Sequence, residues 1–277
     1  MNASVFHNKS AIIFGGASGI GRALAIEMAR RGARVAVADI AEQAARETVT
    51  LIAESGGKAI VLPCDVCRED SVREVAEAAA TELGAIDIVV NNVGVIVSGN
   101  PQDIPLAEWQ RIFDLNLFSV LRSNAVFLPL MLARGSGHIV NTASFAGLYP
   151  YASNRMPYSA SKAALVSLTE SLALYLEPKG IRVSCFCPGP VMTGVMKAMK
   201  SWSEDAVMTG PGSQFDLMTA EQAAVVLANG MQQNRIFIPS HEPVLQEMQH
   251  HAADPDAYIR RKAGAIAAGD LGLPKLP

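Results

Sequence analysis

Ala11-Ile12-Ile13-Phe14-Gly15-Gly16-Ala17-Ser18-Gly19-Ile20-Gly21 runs from an apolar strand pattern through three spaced glycines into a helix pattern that continues to Arg31. Gly15 permits the tight turn, Gly19 lets backbone approach a pyrophosphate, and Gly21 allows the helix to lie close against the strand. Beyond Ser18, a helix opening at Gly19 and Ile20 presents free N–H groups and a partial positive charge to phosphate. A glycine turn alone also fits a strand–helix junction that binds nothing. The strand before it and the helix after it are the context that favours a dinucleotide. Asp39 closes the next apolar run, 18 residues after Gly21. A carboxylate there can accept both hydroxyls of an adenosine ribose and would repel a 2′-phosphate. No cation follows at Ile40 or Ala41, and Ser18 is uncharged, so the pattern favours NAD over NADP. A carboxylate that merely caps the next helix is compatible with that reading.

Outward from this turn the same unit repeats. Strand patterns lie at residues 11–14, 34–39, 59–64, 86–90, 138–142, 181–187 and 235–238. Helix patterns lie at 20–31, up to 54, and at 71–83, 105–132, 157–176 and 219–232. The strands are continuous apolar runs rather than alternating ones, which places helices on both of their faces. Regular alternation of strand and helix predicts parallel strands with right-handed crossovers. The expected fold is α/β: a single-domain, Rossmann-like, doubly wound parallel sheet with helices on both faces. Residues 1–239 form the dinucleotide-binding domain in this reading, including a Met-, Gly- and Pro-rich substrate loop at 188–218. Residues 240–277 form a helical tail, broken near Asp254-Pro255.

The chain has 277 residues, half of them hydrophobic and 18% charged, with a net charge of −3. That is enough for a sizeable core and excludes a disordered chain. Near-neutral charge gives no basic face for nucleic acid or anionic membrane. No run approaching the roughly 18 apolar residues of a spanning helix stands out, and the N-terminus lacks a signal-peptide pattern, so a cytoplasmic protein is expected. Cys64 and Cys67 form a CxxC with no second half to complete a metal site, while Cys185 and Cys187 alternate in a strand as small buried hydrophobes. His250 and His251 diverge by about 100° on a helix, and His7, His138 and His241 are isolated. No metal is expected. The arginines and glutamates of the helices read as solvated faces.

Tyr158 and Lys162 are four residues apart at the start of a helix and share one face. Ser144 follows the fifth strand, and ligands of open parallel sheets bind at strand C-termini. The three side chains can therefore meet in one crevice. With them the chain resembles the short-chain dehydrogenase/reductase family from about residue 10 to residue 238. The family's TGxxxGxG falls on 14–21, its Asp-Val pair on Asp65-Val66, and its NNAG on Asn91-Asn92-Val93-Gly94. The helix asparagine is Asn116, the serine Ser144, and YxxxK runs from Tyr158 to Lys162. The Pro-Gly turn is Pro188-Gly189, with Thr193 at the carboxamide position.

Carried over residue by residue, the resemblance implies that Tyr158 is the acid/base for a carbonyl or alcohol and that Ser144 hydrogen-bonds the same oxygen. Lys162 would hold the nicotinamide ribose and lower the tyrosine pKa, and Asn116 would hold a water in a proton relay. The implied cofactor set adds Gly15, Ser18, Gly19, Ile20, Gly21, Asp39, Ile40, Asp65, Val66, Asn92, Val93, Gly94, Pro188, Gly189, Val191 and Thr193 to Tyr158 and Lys162. A phenol ordinarily ionises near pH 10, about 4 kcal/mol from neutrality. A cation at about 4 Å supplies roughly 1 kcal/mol in water but about 4 at an effective dielectric near 20, so the crevice must be sheltered.

Phe14 replaces the family's threonine, whose strand-tying hydrogen bond is then lost or remade by packing, and Val93 replaces an alanine. Phe145, Leu148 and Tyr151, with Met192 and Met196 from the loop, are the expected substrate pocket, suited to a bulky apolar or aromatic secondary alcohol and its ketone. The implied assembly is a homodimer or homotetramer. Two other readings stay open: a non-catalytic NAD(H)-binding redox sensor and an NADPH-preferring ketone reductase. Nucleotide-sugar epimerases space their glycines differently and carry a larger C-terminal domain, which argues against that class.

Overall fold

Alternate residues of β1 (Ser10–Phe14) face opposite sides of the sheet, and both sides are buried. Ala11 and Ile13 enter one core cluster; Ile12 and Phe14 enter another. This two-sided burial is what the continuous apolar runs predict. The computed structural model describes residues 4–196 and 198–275, with Met196 described by its backbone alone.

After β1 the chain forms α1 (Gly19–Arg30), β2 (Arg34–Asp39), α2 (Glu42–Glu54), β3 (Lys58–Pro63), α3 (Glu69–Leu83) and β4 (Ile88–Asn91). The second half contributes α4 (Leu106–Phe113), α5 (Ser119–Arg134), β5 (Gly137–Thr142), α6 (Met156–Leu176), β6 (Ile181–Cys187), α7 (Ala220–Gln232) and β7 (Phe237–Pro239). The seven strands form one parallel sheet in the order β7-β6-β5-β4-β1-β2-β3. The order reverses beside β1, and ligands of such sheets bind in the crevice at that reversal, beyond the strand C-termini. Helices α1, α2 and α7 cover one face; α3, α5 and α6 cover the other. The fold class is the expected one. The sequence reading starts β3 one residue late and β4 two residues early, and it shifts the last strand from 237–239 to 235–238.

Helices α4 and α5 are joined by a π-helical turn, Asp114–Phe118, which the uninterrupted pattern at 105–132 did not reveal. A π turn inserts one extra residue into a helix and is frequent at functional sites. Here it carries Asn116 inward, fully buried. The whole run Leu106–Arg134 is also long and apolar enough, by length and composition, to cross a membrane. That corrects the expectation that no stretch approaches this length. Its inward residues, among them Ile112, Asn116, Val120, Phe127 and Met131, are buried in the fold. Phe14 packs edge-on against Phe127 of α5 at 6.1 Å between ring centres, so packing stands where the family's threonine would tie the strands.

The loop after β6 is pinned at both ends. Val191–Met192 pairs with Met218–Thr219, and Val97–Ser98 pairs with Lys200–Ser201. The tail forms α8 (Val244–Ala253) and α9 (Pro255–Ala267). Val244 and Tyr258 from these helices join Phe145, Tyr149, Cys185, Cys187 and Phe215 in a third buried cluster. The Tyr258 hydroxyl donates to Glu247 at 2.6 Å, and Gln214 of the loop donates to the other oxygen of that carboxylate at 3.0 Å. The tail thus braces the loop from behind.

Candidate active site

The glycine turn has the geometry its spacing predicts. Gly15 and Gly19 sit at φ +79° and +52°, which side chains disfavour. A Cβ on Gly21 would lie 2.0 Å from the Gly15 carbonyl oxygen, so only glycine lets α1 start this close to the turn. No side chain caps the N-terminus of α1. Its first N–H groups are left for a ligand, and anions suit that position. The Asn92 amide donates to Gly15 O at 3.2 Å, and its oxygen accepts from Thr142 Oγ1 at 3.1 Å. One side chain therefore ties the turn to β4 and β5.

Asp39 stands at the end of β2, half-buried. Its Oδ2 accepts from Ala17 N and its Oδ1 from Ala41 N, both at 3.0 Å. These bonds fix the carboxylate beside the turn and leave each oxygen a lone pair. Ile40 next to it is 74% exposed. Asp65 accepts from Cys67 N at 2.9 Å, and Val66 is buried. Val93 packs on the second core cluster, and the open side of Gly94 faces the Lys162 amine. Pro188 O accepts from Phe145 N at 2.9 Å, and Gly189 N donates to Ser240 Oγ at 2.8 Å. Beyond that turn, Val191 and Thr193 are half-buried, with the Thr193 methyl across from Gly19.

The structure brings the four expected catalytic side chains together at the C-terminal ends of β4 and β5. Pro157 occupies the first turn of α6, where a missing N–H costs nothing, and this places Tyr158 and Lys162 on the crevice side. Ser144 is buried, and its Oγ accepts from Ala146 N at 3.2 Å. Lys162 is buried, donates from Nζ to Thr142 O at 2.6 Å, and lies 5.9 Å from the centre of the Tyr158 ring. Burial pulls the lysine down to about 8. Asn116 is bonded to Val95 and Ser161.

The Tyr158 phenol is pushed up by burial, whereas the expectation was a tyrosine lowered by Lys162. The nearby Ser144 hydroxyl and the Arg155 guanidinium oppose that rise, and Cys187 adds to it. The protein alone thus supplies part of the required positive field, through a residue that sequence reasoning passed over. Arg155 lies just before α6, and the reading of arginines as solvated faces missed it. Glu27 and Glu108 depart from that reading as well: both are buried, held by Arg30 and Arg31 and by Arg111 respectively, which depress their carboxyl pKa values.

Of the expected pocket residues, Tyr151 and Leu148 are half-buried on the third cluster, and Met192 is 54% exposed. Phe145 is a correction. It is wholly buried between Tyr149, Phe215 and His241, because its ring fills the space under Gly189. The Met196 side chain lies outside the described residues. Among the described residues, no group of three or more His, Cys, Asp or Glu side chains is placed to hold a metal ion.

Residues 9–204 match the profile of the short chain dehydrogenases. The chain belongs to the short-chain dehydrogenase family. This short-chain dehydrogenase is 33% identical over 241 residues to the cyclohexanol dehydrogenase of Acinetobacter sp. (strain SE19), covering 87% of this chain and 94% of that one. It is 37% identical over 193 residues to the 7alpha-hydroxysteroid dehydrogenase of Escherichia coli (strain K12), covering 69% and 74%. A solved short-chain dehydrogenase/reductase from Burkholderia phymatum, in complex with NAD, superposes with a TM-score of 0.80 at 30% identity, covering 93% of this chain and 96% of that one. Relatives of this short-chain dehydrogenase are thus dehydrogenases of hydroxyl groups.

Proposed function

We propose that the protein is an NAD-dependent oxidoreductase that interconverts a bulky, alicyclic or aromatic secondary alcohol and its ketone. The convergence of Tyr158, Ser144 and Lys162 beside an uncapped helix N-terminus carries this reading. The glycine turn, the free N–H groups of α1 and the Asp39 carboxylate fit a dinucleotide whose adenosine ribose lacks a 2′-phosphate. A bound nicotinamide supplies hydride acceptance from the alcohol carbon, or hydride donation to the ketone carbon.

The chain's own residues manage the oxygen. Ser144 hydrogen-bonds the substrate oxygen and fixes its distance from Tyr158. Tyr158, once ionised against the upward push of its burial with help from Ser144 and Arg155, takes the hydroxyl proton during oxidation and returns it to the oxygen during reduction. Lys162, with Nζ anchored on Thr142 O, offers its remaining N–H groups to the nicotinamide ribose and holds positive charge near the phenol. Asn116 shapes the wall through Val95. The relatives' cyclohexanol and hydroxysteroid substrates share a ring bearing a secondary hydroxyl, which agrees with the apolar side chains Leu148, Tyr151 and Met192 that this reading assigns to the pocket. Exposed Phe118 and Leu121 on one side, with Leu174 and Tyr175 of α6, support assembly of copies through these helices.

The test follows NADH absorbance while aryl, alicyclic and aliphatic secondary alcohols are offered with NAD+ and, in parallel, with NADP+. NAD-linked turnover of ring alcohols is expected. Tight NADH binding with no turnover of any alcohol would favour a redox sensor, and faster turnover with NADP+ would replace the cofactor assignment.

A further inference from the structure

Arg155 is 7% exposed, three residues before Tyr158. Its Nη2 donates to the Thr209 carbonyl, and its guanidinium lies over the Tyr151 ring, 5.6 Å from the ring centre. Its Nε is buried with no hydrogen-bond partner. Among the described residues no carboxylate pairs with it. A guanidinium keeps its charge at any pH the fold survives, and an unpaired buried charge is among the costlier features a protein can retain. The buried carboxylates Glu27 and Glu108, by contrast, are each matched to arginine, and the other buried cation, Lys162, belongs to the same crevice. The Arg155 charge is also felt at both phenols of the crevice, Tyr151 and Tyr158, where it favours the ionised form. A buried cation with one unsatisfied donor and no carboxylate beside it among the described residues therefore lies close enough to both phenols to act on them.

We propose that Arg155 is the anion-recognising end of the substrate pocket, so that the preferred substrate is a secondary alcohol or ketone whose ring also carries a carboxylate. The inference rests on the reading of this crevice as the alcohol–ketone site and adds the charge of the substrate to it. A carboxylate oxygen at the Nε donor satisfies the orphaned N–H and neutralises the guanidinium in one contact. The ring of the substrate then spans from Arg155 to Ser144 and Tyr158 along Tyr151. Arg155 is a specificity residue here; the proton stays with Tyr158.

The competing role for Arg155 is a strap that holds the loop at Thr209, whose hydroxyl donates to the Tyr151 carbonyl at 2.5 Å. A matched substrate pair separates the two: 4-hydroxycyclohexanecarboxylate and its methyl ester, assayed with the wild type, Arg155→Gln and Arg155→Lys. The wild type is expected to favour the acid in kcat/KM by roughly tenfold or more, as for a charge-assisted hydrogen bond. Arg155→Gln removes that preference, and Arg155→Lys restores part of it. Equal losses on acid and ester, or a wild-type preference for the ester, overturn the proposal and leave the strap. Calorimetry of cyclohexanecarboxylate against cyclohexanecarboxamide reads the same site without turnover. If no alcohol reacts but the wild type binds the carboxylate and Arg155→Gln does not, the acid/base reading fails and the anion site stands. If acid and amide bind alike, or neither binds, the anion site fails whatever the activity.

Discussion

The carboxamide of Asn116 grips Val95 from both sides: Oδ1 accepts Val95 N–H at 2.9 Å, and Nδ2 donates to Val95 O at 3.0 Å. The second Nδ2 hydrogen goes to Ser161 Oγ at 3.1 Å. Both amide hydrogens are committed, so only a lone pair on Oδ1 remains for the water that the family resemblance assigns to this residue. The side chain is therefore first a clamp between the π turn, the loop that carries Val95 after β4, and α6. Asn116→Ala strands the Val95 N–H and C=O beside the crevice. It should lower unfolding free energy by about 2–4 kcal/mol, since each buried polar group left unpaired costs roughly 1–3. Urea denaturation measures this; an unchanged midpoint would show that the clamp contributes nothing.

Tyr158→Phe keeps the ring and removes the hydroxyl to which the proposed mechanism assigns proton exchange with substrate. General acid–base catalysis contributes about 10²- to 10⁴-fold, and turnover should fall by that order. The proposal assigns most of dinucleotide binding to the glycine turn and Asp39, at the other end of the crevice, so NADH fluorescence titration should give a nearly unchanged Kd. Retained turnover would remove Tyr158 from the mechanism.

What could be read from the sequence is what is encoded locally. The turn from Gly15 to Gly21 is one short contiguous stretch and the Tyr158–Lys162 pair lies within one helix, so local spacing carried their geometry. The two-faced burial of β1 was equally legible, because an apolar run without alternation has one packing solution. The π turn was hidden: its extra residue leaves the apolar pattern of residues 105–132 intact, and only the three-dimensional demand for Asn116 at Val95 exposes it. Arg155 was hidden for another reason. Whether an arginine is solvated or stranded depends on what surrounds it, and Arg155 is covered in part by Thr209, 54 residues away in the chain. Phe145 was misplaced by adjacency: it follows Ser144, but the turn rotates its ring into the core beneath Gly189.

Cofactor choice should turn on two neighbouring positions. In the proposed cofactor site the Asp39 carboxylate would repel a 2′-phosphate, and Ile40, largely exposed beside it, offers no cation. Asp39→Ser with Ile40→Arg removes the repulsion and adds a charged donor. The ratio of kcat/KM for NADP+ over NAD+ should rise on the order of 100-fold, equivalent to roughly 3 kcal/mol, the scale of one strong charged hydrogen bond. Initial rates with both cofactors at subsaturating concentrations check this. An unmoved ratio would mean that another group selects the ribose.

Acid should weaken the fold through His138. This side chain is buried in β5 and shares a 2.9 Å hydrogen bond between Nε2 and Ser184 Oγ. The Ser184 hydroxyl hydrogen is already donated to Arg235 O at 2.7 Å, so Nε2 must be the donor and Nδ1 the bare nitrogen. Nδ1 is buried without a partner, so a proton added there would find no acceptor. Burial, with a smaller contribution from Arg182, pulls the imidazole down to about 3. An unfolded histidine titrates near 6.5, so between these values the unfolded chain binds the extra proton and stability rises with pH. The contribution is fully present above about pH 6.5 and is lost as pH falls toward 3. At pH 5 the loss should be about 2 kcal/mol relative to pH 7.5. His138→Phe keeps a flat ring of similar size and cannot titrate. Urea unfolding at both pH values should therefore show a smaller difference in the variant than in the wild type, by about that amount, since the carboxylates common to both titrate alike. Equal differences in the two proteins would place the acid sensitivity elsewhere.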